Sequence, residues 1–200
     1  MMKIFCLWDK GEANAPPLVQ RIIERWRVLN PDHDVIVHDA ASLTAGLAGT
    51  GFLTGGLNIQ ARADIFRVKL ILEEGGVWVD ASLLPVAPLE DWLPGLLSPS
   101  GFFSFRQCGY DRLIGNWFMA AEAGNPLVAA WYARMLDYMK TPRTPANESA
   151  LLWRAMRRGD YLGTVRDTRG PRSSRYPYFW PHYLFEILVK EDPEAARHWA

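Results

Sequence analysis

Asp64 and Arg67 stand three residues apart in the segment QARADIFRVKLILEEGG, and Gln60 precedes Asp64 by four. Residues at these spacings share one face of a helix. The remaining face, Ile65, Phe66, Val68, Ile71 and Leu72, is apolar and needs burial. One reading of the acid–base pair is a surface ion pair worth under about 1 kcal/mol. The other is a pair facing a cleft, where the acid accepts sugar hydroxyls and the arginine neutralises a phosphate or orients a hydroxyl. Arginine suits that task because its planar fork carries donors in fixed directions. Just downstream, Gly75-Gly76 stops the helix, Val77-Trp78-Val79 reads as a short buried strand, and Asp80 stands at its end. Open α/β sheets bind ligands in the crevice outside the carboxyl ends of their strands. Asp80 is therefore a candidate metal or sugar ligand. The plainer alternative is a local turn in which Asp80 bonds its own backbone.

The elements that must hold these residues alternate between strand and helix. Lys3 to Trp8 reads as a buried strand, and Pro16-Pro17 opens a helix to Leu29 with the apolar stripe Leu18, Val19, Ile22, Ile23 and Trp26. Asp34 to His38 is a second strand, and Ala40 to Gly56 a loop with a short helix. After the central helix and strand, Gly101 to Arg106 and Gly115 to Ala121 read as strands. Pro126 to Met139 and Pro145 to Arg158 read as helices, Gly159 to Pro177 as a polar loop, and the chain from Pro181 as helical. This alternation predicts an α/β fold with a mostly parallel central sheet flanked by helices. One domain over residues 1–200 is expected, with a ligand-binding core at 1–122 and a helical part at 123–200 completing the site.

The residues Asp64, Arg67, Gly75, Gly76, Asp80 and Ser82 resemble the central block of the capsular polysaccharide synthesis protein family. That family is a branch of the GT-A glycosyltransferases with the DXD sugar-binding region. The segments CLWDKGEANAPPLVQRIIERWRVLNPDHDVIVHD, IGNWFMAAEAGNPLVAAW and YPYFWPHYLFEIL are similar to further family blocks. The resemblance implies a GT-A, Rossmann-like fold and transfer of a hexose from a nucleoside diphosphate sugar to a surface-polysaccharide or lipopolysaccharide precursor, with retention. Asp64, Arg67 and Asp80 would be the catalytic group. It also implies Mn²⁺ or Mg²⁺. Here Ser82 stands where the wider superfamily carries a second acid, and a hydroxyl is a much weaker ligand for a hard cation. Alternatives are a non-catalytic sugar-nucleotide-binding component of a polysaccharide assembly complex, or a toxin-like enzyme that glycosylates proteins.

Three further residues gain a second reading from the resemblance. Trp8 is by itself an aromatic core residue; relatives place a Trp there to stack on the nucleotide base. Asn116 is a hydrogen-bonding group toward donor or acceptor, or a cap on a sheet edge. His182 is a structural histidine, or a metal or diphosphate ligand completing a site with Asp80 and Ser82.

Composition narrows the partners. Acidic and basic residues balance at 22 each, so nothing draws the whole chain to nucleic acid or an anionic membrane. Arg154, Arg157, Arg158, Arg166, Arg169, Arg172 and Arg175 form a local basic run, either a solvated surface or a rim for a diphosphate. Cys6 and Cys108 are too far apart in sequence to suggest a zinc site or a disulfide framework. No apolar run reaches the ~18 residues of a membrane span. The expected partners are a nucleoside diphosphate sugar donor and a glycan or lipid-linked glycan acceptor, with no nucleic acid. The expected place is the cytoplasm of a bacterium, with at most peripheral contact at the inner face of the membrane.

Overall fold

The computed structural model describes residues 1–50, 57–146, 159–166 and 175–199. Strands β1 (Lys3–Leu7), β2 (Asp34–His38), β3 (Gly76–Val79), β4 (Phe102–Gly109) and β5 (Arg112–Ala121) form one sheet in the order β2-β1-β3-β5-β4. β1 pairs parallel with β2 and β3, while β5 runs antiparallel to both β3 and β4. Four strands thus point one way and β5 the other. The expected mostly parallel α/β sheet is present.

Side-chain alternation along the strands feeds two cores. Ile4 and Cys6 of β1, Val77 and Val79 of β3, and Phe118 and Ala120 of β5 face one layer. Phe5, Trp78, Met119 and Ala121 face the other. Strands covered on both faces must be apolar throughout, which is why KIFCL and VWV carry no polar positions after Lys3. Helix α1 (Pro17–Leu29) buries Val19, Ile22, Ile23 and Trp26 on the first face. The second face is covered by α3 (Ile59–Glu74), α5 (Pro126–Met139) and α7 (Trp180–Glu191). Short helices α2 (Ala40–Gly46), α4 (Leu93–Leu97), α6 (Gly163–Arg166) and α8 (Pro193–Trp199), two 3-10 turns (Glu12–Asn14 and Leu89–Asp91) and a small parallel pair β6 (Thr144–Pro145) and β7 (Arg175–Tyr176) complete the described secondary structure.

The glycine pair after α3 is needed twice over. Gly75 caps the helix with φ 67°, a left-handed conformation that costs only glycine little. Gly76 has φ 101°, and a Cβ there would run into the Lys3 carbonyl oxygen of β1. The pair turns the chain from α3 directly into the slot beside β1.

Some element expectations change. β4 and β5 extend past the expected limits and meet in a tight turn at residues 110–111, because QCG and RLI pair across the hairpin without an alternating pattern. Pro145 pairs as a strand with Tyr176 rather than opening a helix; the rest of the helix expected to Arg158 lies largely outside the described residues. Part of the expected 159–177 loop is the short α6 and β7, while 167–174 lie outside the described residues.

Candidate active site

The chain leaves β1 for α1 on one face and returns to β3 through α3 on the other. The crevice between the ends of β1 and β3 is thus a topological switch point, where α/β sheets bind ligands. A cavity of about 590 Å³ lies there. It is lined by Trp8 and Asp9 after β1, Asp80 and Ser82 after β3, Gln60, Asp64 and Arg67 of α3, Asn116 of β5, and His182 of α7. All seven candidate residues read from the sequence, Trp8, Asp64, Arg67, Asp80, Ser82, Asn116 and His182, therefore border one space.

Strand geometry explains the meeting of Asp80 with α3. Trp78 faces the α3 side of the sheet, and Asp80, two residues on, follows it to that side. Its Oδ1 accepts from Arg67 Nη1 at 3.0 Å and from Trp78 Nε1 at 3.1 Å. The Asp80 side chain is thus held by Arg67 of α3 and by Trp78 of its own strand, not by its own backbone. Arg67 is buried, and its guanidinium carbon stands 5.0 Å from the centre of the Trp78 ring. Nη1 also donates to the Asn116 carbonyl at 2.8 Å, and Nη2 lies 3.4 Å from Asp64 Oδ1. Asp64 Oδ1 accepts from Asn116 Nδ2 at 2.9 Å. The pair read as either surface or cleft is a cleft pair, with side-chain exposures of 10% for Arg67 and 13% for Asp64.

Burial pushes the Asp64 carboxyl up to about 6; Arg67 and Asn116 pull it down, and Asp80 pushes it up. Burial also drives His182 down to about 3, helped by the positive charges of Arg67 and Arg112. His182 is therefore a neutral imidazole at ordinary pH. Its Nδ1 is buried without a hydrogen-bond partner. Trp8 holds β2 through its backbone N–H to His38 O at 2.9 Å, while its indole Nε1 is buried without a partner.

Asn116 reaches Asp64 through an irregular pairing. A two-residue step on β4, Ser104 to Arg106, faces a five-residue step on β5, Met119 to Ile114. Such bulges re-aim side chains beside ligand sites. Asn116 stands in an interior strand, so it caps no sheet edge.

Sequence reasoning missed three contributors. Trp78 donates to Asp80, and its i, i+2 spacing in a strand was a usable signal. Arg112 and Phe179 also line the cavity, with the guanidinium carbon 3.9 Å from the ring centre. They are brought together only by the packing of the β4–β5 hairpin against the start of α7. Of the basic run, Arg166 pairs with Glu191 at 3.0 Å, Arg175 donates to Pro145 O at 3.1 Å, and neither lines the cavity. Arg154, Arg157, Arg158, Arg169 and Arg172 lie outside the described residues.

The donors for a metal are sparse. Among the described residues, no group of three or more His, Cys, Asp or Glu is arranged to hold one. Arg67 and Trp78 both occupy Asp80 Oδ1, leaving Oδ2 as the oxygen of this carboxylate outside those bonds, two residues before the exposed Ser82. This set fits a divalent cation only when a ligand brings further oxygens.

Comparison with known proteins agrees with the geometry. The chain is 30% identical over 149 residues to the O-glycosyltransferase braB of Annulohypoxylon truncatum, covering 64% of this chain and 35% of that protein. It is 20% identical over 162 residues to the initiation-specific alpha-1,6-mannosyltransferase of Schizosaccharomyces pombe, covering 76% and 38%. The chain thus spans a little over a third of either relative. Its fold matches the ligand-free glycosyltransferase domain of the YGT toxin with a TM-score of 0.54 at 11% identity, covering 100% of this chain and 79% of that domain. At that identity the likeness concerns the fold, which is of GT-A type. A model of the family described as capsular polysaccharide synthesis protein matches residues 1–147, and this chain belongs to that family.

Proposed function

We propose that the chain is a glycosyltransferase that moves a hexose from a nucleoside diphosphate sugar to a hydroxyl of a surface-polysaccharide or lipopolysaccharide precursor, with retention. The observation that carries this reading is the joining of Asp64, Arg67, Asp80 and Asn116 by hydrogen bonds and ion pairs at the ends of β1 and β3. The printed names of the relatives support the class of reaction.

Each residue has a physical task. The Trp8 ring, at the end of β1, stacks on the base. Asp64, ionised above about pH 6, accepts hydrogen bonds from hydroxyls of the sugar. Arg67 fixes Asp64 and Asp80 in their orientations and lends positive charge to the leaving diphosphate. Charge developing on a leaving group is best stabilised by groups already in place. Asp80 Oδ2 faces the reacting region as a fixed negative charge.

Mn²⁺ or Mg²⁺ would be held by Asp80 and Ser82, with His182 as a neutral nitrogen donor. Such a cation supplies charge neutralisation on the diphosphate. Ser82 in place of a carboxylate favours a second reading, a sugar-nucleotide-binding component without turnover in an assembly complex. Partners in the first reading are the donor and a glycan or lipid-linked glycan acceptor. Among the described residues no helix is long and apolar enough to cross a membrane. A cytoplasmic place at the inner membrane face is part of the proposal.

The test is a donor screen. Purified protein is incubated with UDP-, GDP- and ADP-hexoses and Mn²⁺, and released nucleoside diphosphate is measured. Slow release from one donor supports transfer, and the anomeric configuration of the first-formed sugar product tests retention. Binding of a donor without any release supports the non-catalytic reading. Absence of binding by all donors removes both.

A further inference from the structure

Arg112 belongs to the cavity but to none of the bonds that hold its α3 wall together. It stands on β5 just beyond the hairpin turn, and its guanidinium is fixed from three sides. Nε lies 3.3 Å from Asp111 Oδ1. That carboxylate is itself buried and is held at its other oxygen by the Tyr183 hydroxyl at 2.8 Å. One face of the guanidinium lies over the Phe179 ring at 3.9 Å. Beneath it, Gly109 leaves the room, since a Cβ there would collide with the guanidinium. A long side chain normally loses much rotamer freedom on binding a ligand, and one already fixed loses little.

The two cavity arginines are used differently. Arg67 gives Nη1 to Asp80 and the Asn116 carbonyl and turns Nη2 to Asp64. Its charge lies between two acids. Arg112 has one ionic partner among the described residues, Asp111, which lies outside the lining of the cavity. The carboxylates lining the space are Asp9, Asp64 and Asp80. A ligand bearing two or more negative charges would meet net repulsion there unless a cation faced it. Ser82 weakens the cation site that could otherwise answer this, which leaves Arg112 as the lining cation not already set between two of these carboxylates. Arg67, Arg112 and His182 line the same cavity, and both guanidinium charges act on the imidazole.

We infer that Arg112 binds the diphosphate of the donor, its fork gripping the phosphate oxygens in the part a second metal-binding carboxylate serves elsewhere. The inference rests on the sugar-nucleotide reading above. Arginine forms paired, charge-assisted hydrogen bonds with phosphate, and such bonds are among the stronger ones available to a side chain. Asp111, Phe179 and Gly109 are positioning residues that act through Arg112.

Calorimetry with nucleosides and their diphosphates tests this on the intact chain. The base is whichever of uridine, guanosine or adenosine the wild type binds. The wild type should bind the diphosphate more tightly than the nucleoside. Arg112→Gln should weaken the diphosphate by about tenfold or more and leave the nucleoside unchanged. It should also flatten the salt dependence of diphosphate binding. A purely structural role would weaken nucleoside and diphosphate alike. A readout without any variant is protection of wild-type Arg112 from phenylglyoxal, mapped by mass spectrometry. The diphosphate should protect it and the nucleoside should not. Equal diphosphate affinity in Arg112→Gln and wild type, or no protection in the wild type, overturns the inference and leaves the donor reading standing. Failure of the wild type to bind any nucleoside diphosphate overturns the donor reading itself.

Discussion

The two walls of the cavity are finished to different degrees. On the α3 wall, Asp64, Arg67, Asp80 and Asn116 satisfy one another through contacts of 2.8–3.4 Å before any ligand arrives. Elsewhere in the lining, Trp8 Nε1 and His182 Nδ1 are buried without a hydrogen-bond partner, and Arg112 Nε has only its ion pair with Asp111 at 3.3 Å. Buried polar groups are normally paired, because leaving one unpaired costs about 1–3 kcal/mol. The contrast teaches that the first wall is a rigid template and the second is completed by what binds. Damage to the first should therefore cost stability as well as turnover. Damage to the second should cost binding alone.

The largest expected effect comes from breaking the template. From the sequence, Arg67→Ala would read as a change that spares the fold. The structure predicts otherwise, since removing Arg67 leaves Asp64 and Asp80 facing one another without their shared cation. Breaking a buried ion pair costs about 3–5 kcal/mol. The low end, about 3 kcal/mol, applies here because the Asp80 side chain is 39% exposed and water screens its share. Urea unfolding measures it. A loss below about 0.5 kcal/mol would mean that Arg67 does not hold the wall.

Asp64→Asn sharpens the contrast by keeping the shape and removing the charge. Turnover should fall tenfold or more, about 1.4 kcal/mol in transition-state terms. The pH dependence has a definite sign. The folded value of about 6, raised by burial, lies above the ordinary carboxylate value of about 4. Its contribution to stability is therefore complete below about pH 4 and is lost as the pH rises through 6. Wild-type turnover should rise as the pH passes through about 6 and the carboxylate ionises. The asparagine variant should lose this contribution to both profiles, and an unchanged activity profile would remove Asp64 from the site.

These differences also explain what could be read from the chain itself. The α3 wall was legible because its pieces obey local periods: three residues between Asp64 and Arg67 on a helix, a glycine stop, and an acid ending an apolar strand. Buried strands and helix caps left equally local marks, so β1, β2, α1 and α5 were found close to their observed limits. The second wall was not legible in the same way. Arg112 meets Phe179 across 67 positions of sequence, and no spacing rule links them. On the α3 wall itself, the bulge that aims Asn116 at Asp64 was equally hidden, since it sits in a hairpin whose sequence, QCGYDRLIGNW, alternates poorly. Of the basic run that composition singled out, the two described members, Arg166 and Arg175, do not line the cavity.

Trp8 probes the second wall with a smaller effect. Its ring is partly packed on the core beneath it, so only one side is free for a base. Trp8→Ala should weaken nucleoside binding by about 1 kcal/mol, the low end for base stacking. Trp8→Phe should keep most of the affinity, because a flat ring remains. Neither should change urea stability as much as Arg67→Ala. Wild-type nucleoside affinity in both variants would assign Trp8 to the core alone.

The smallest effect concerns metal, and it depends on the same division between the walls. Asp80 gives Oδ1 to the template, through Arg67 and Trp78, and only Oδ2 remains for a cation. Ser82 adds a neutral oxygen, and the guanidinium 3.0 Å from Asp80 repels any ion brought near it. Hard cations need six or more oxygens, with charge on several of them. The protein without donor should therefore hold Mn²⁺ or Mg²⁺ more weakly than about 1 mM. A nucleoside diphosphate would supply two further charged oxygens, so metal and diphosphate should tighten one another when titrated together. Ser82→Asp should raise the metal affinity of the empty protein by adding a second carboxylate, while leaving nucleoside binding at Trp8 unchanged. Tight metal binding by the empty wild type would show that the second wall is already built, and full turnover in chelator would show that the arginines suffice without a cation.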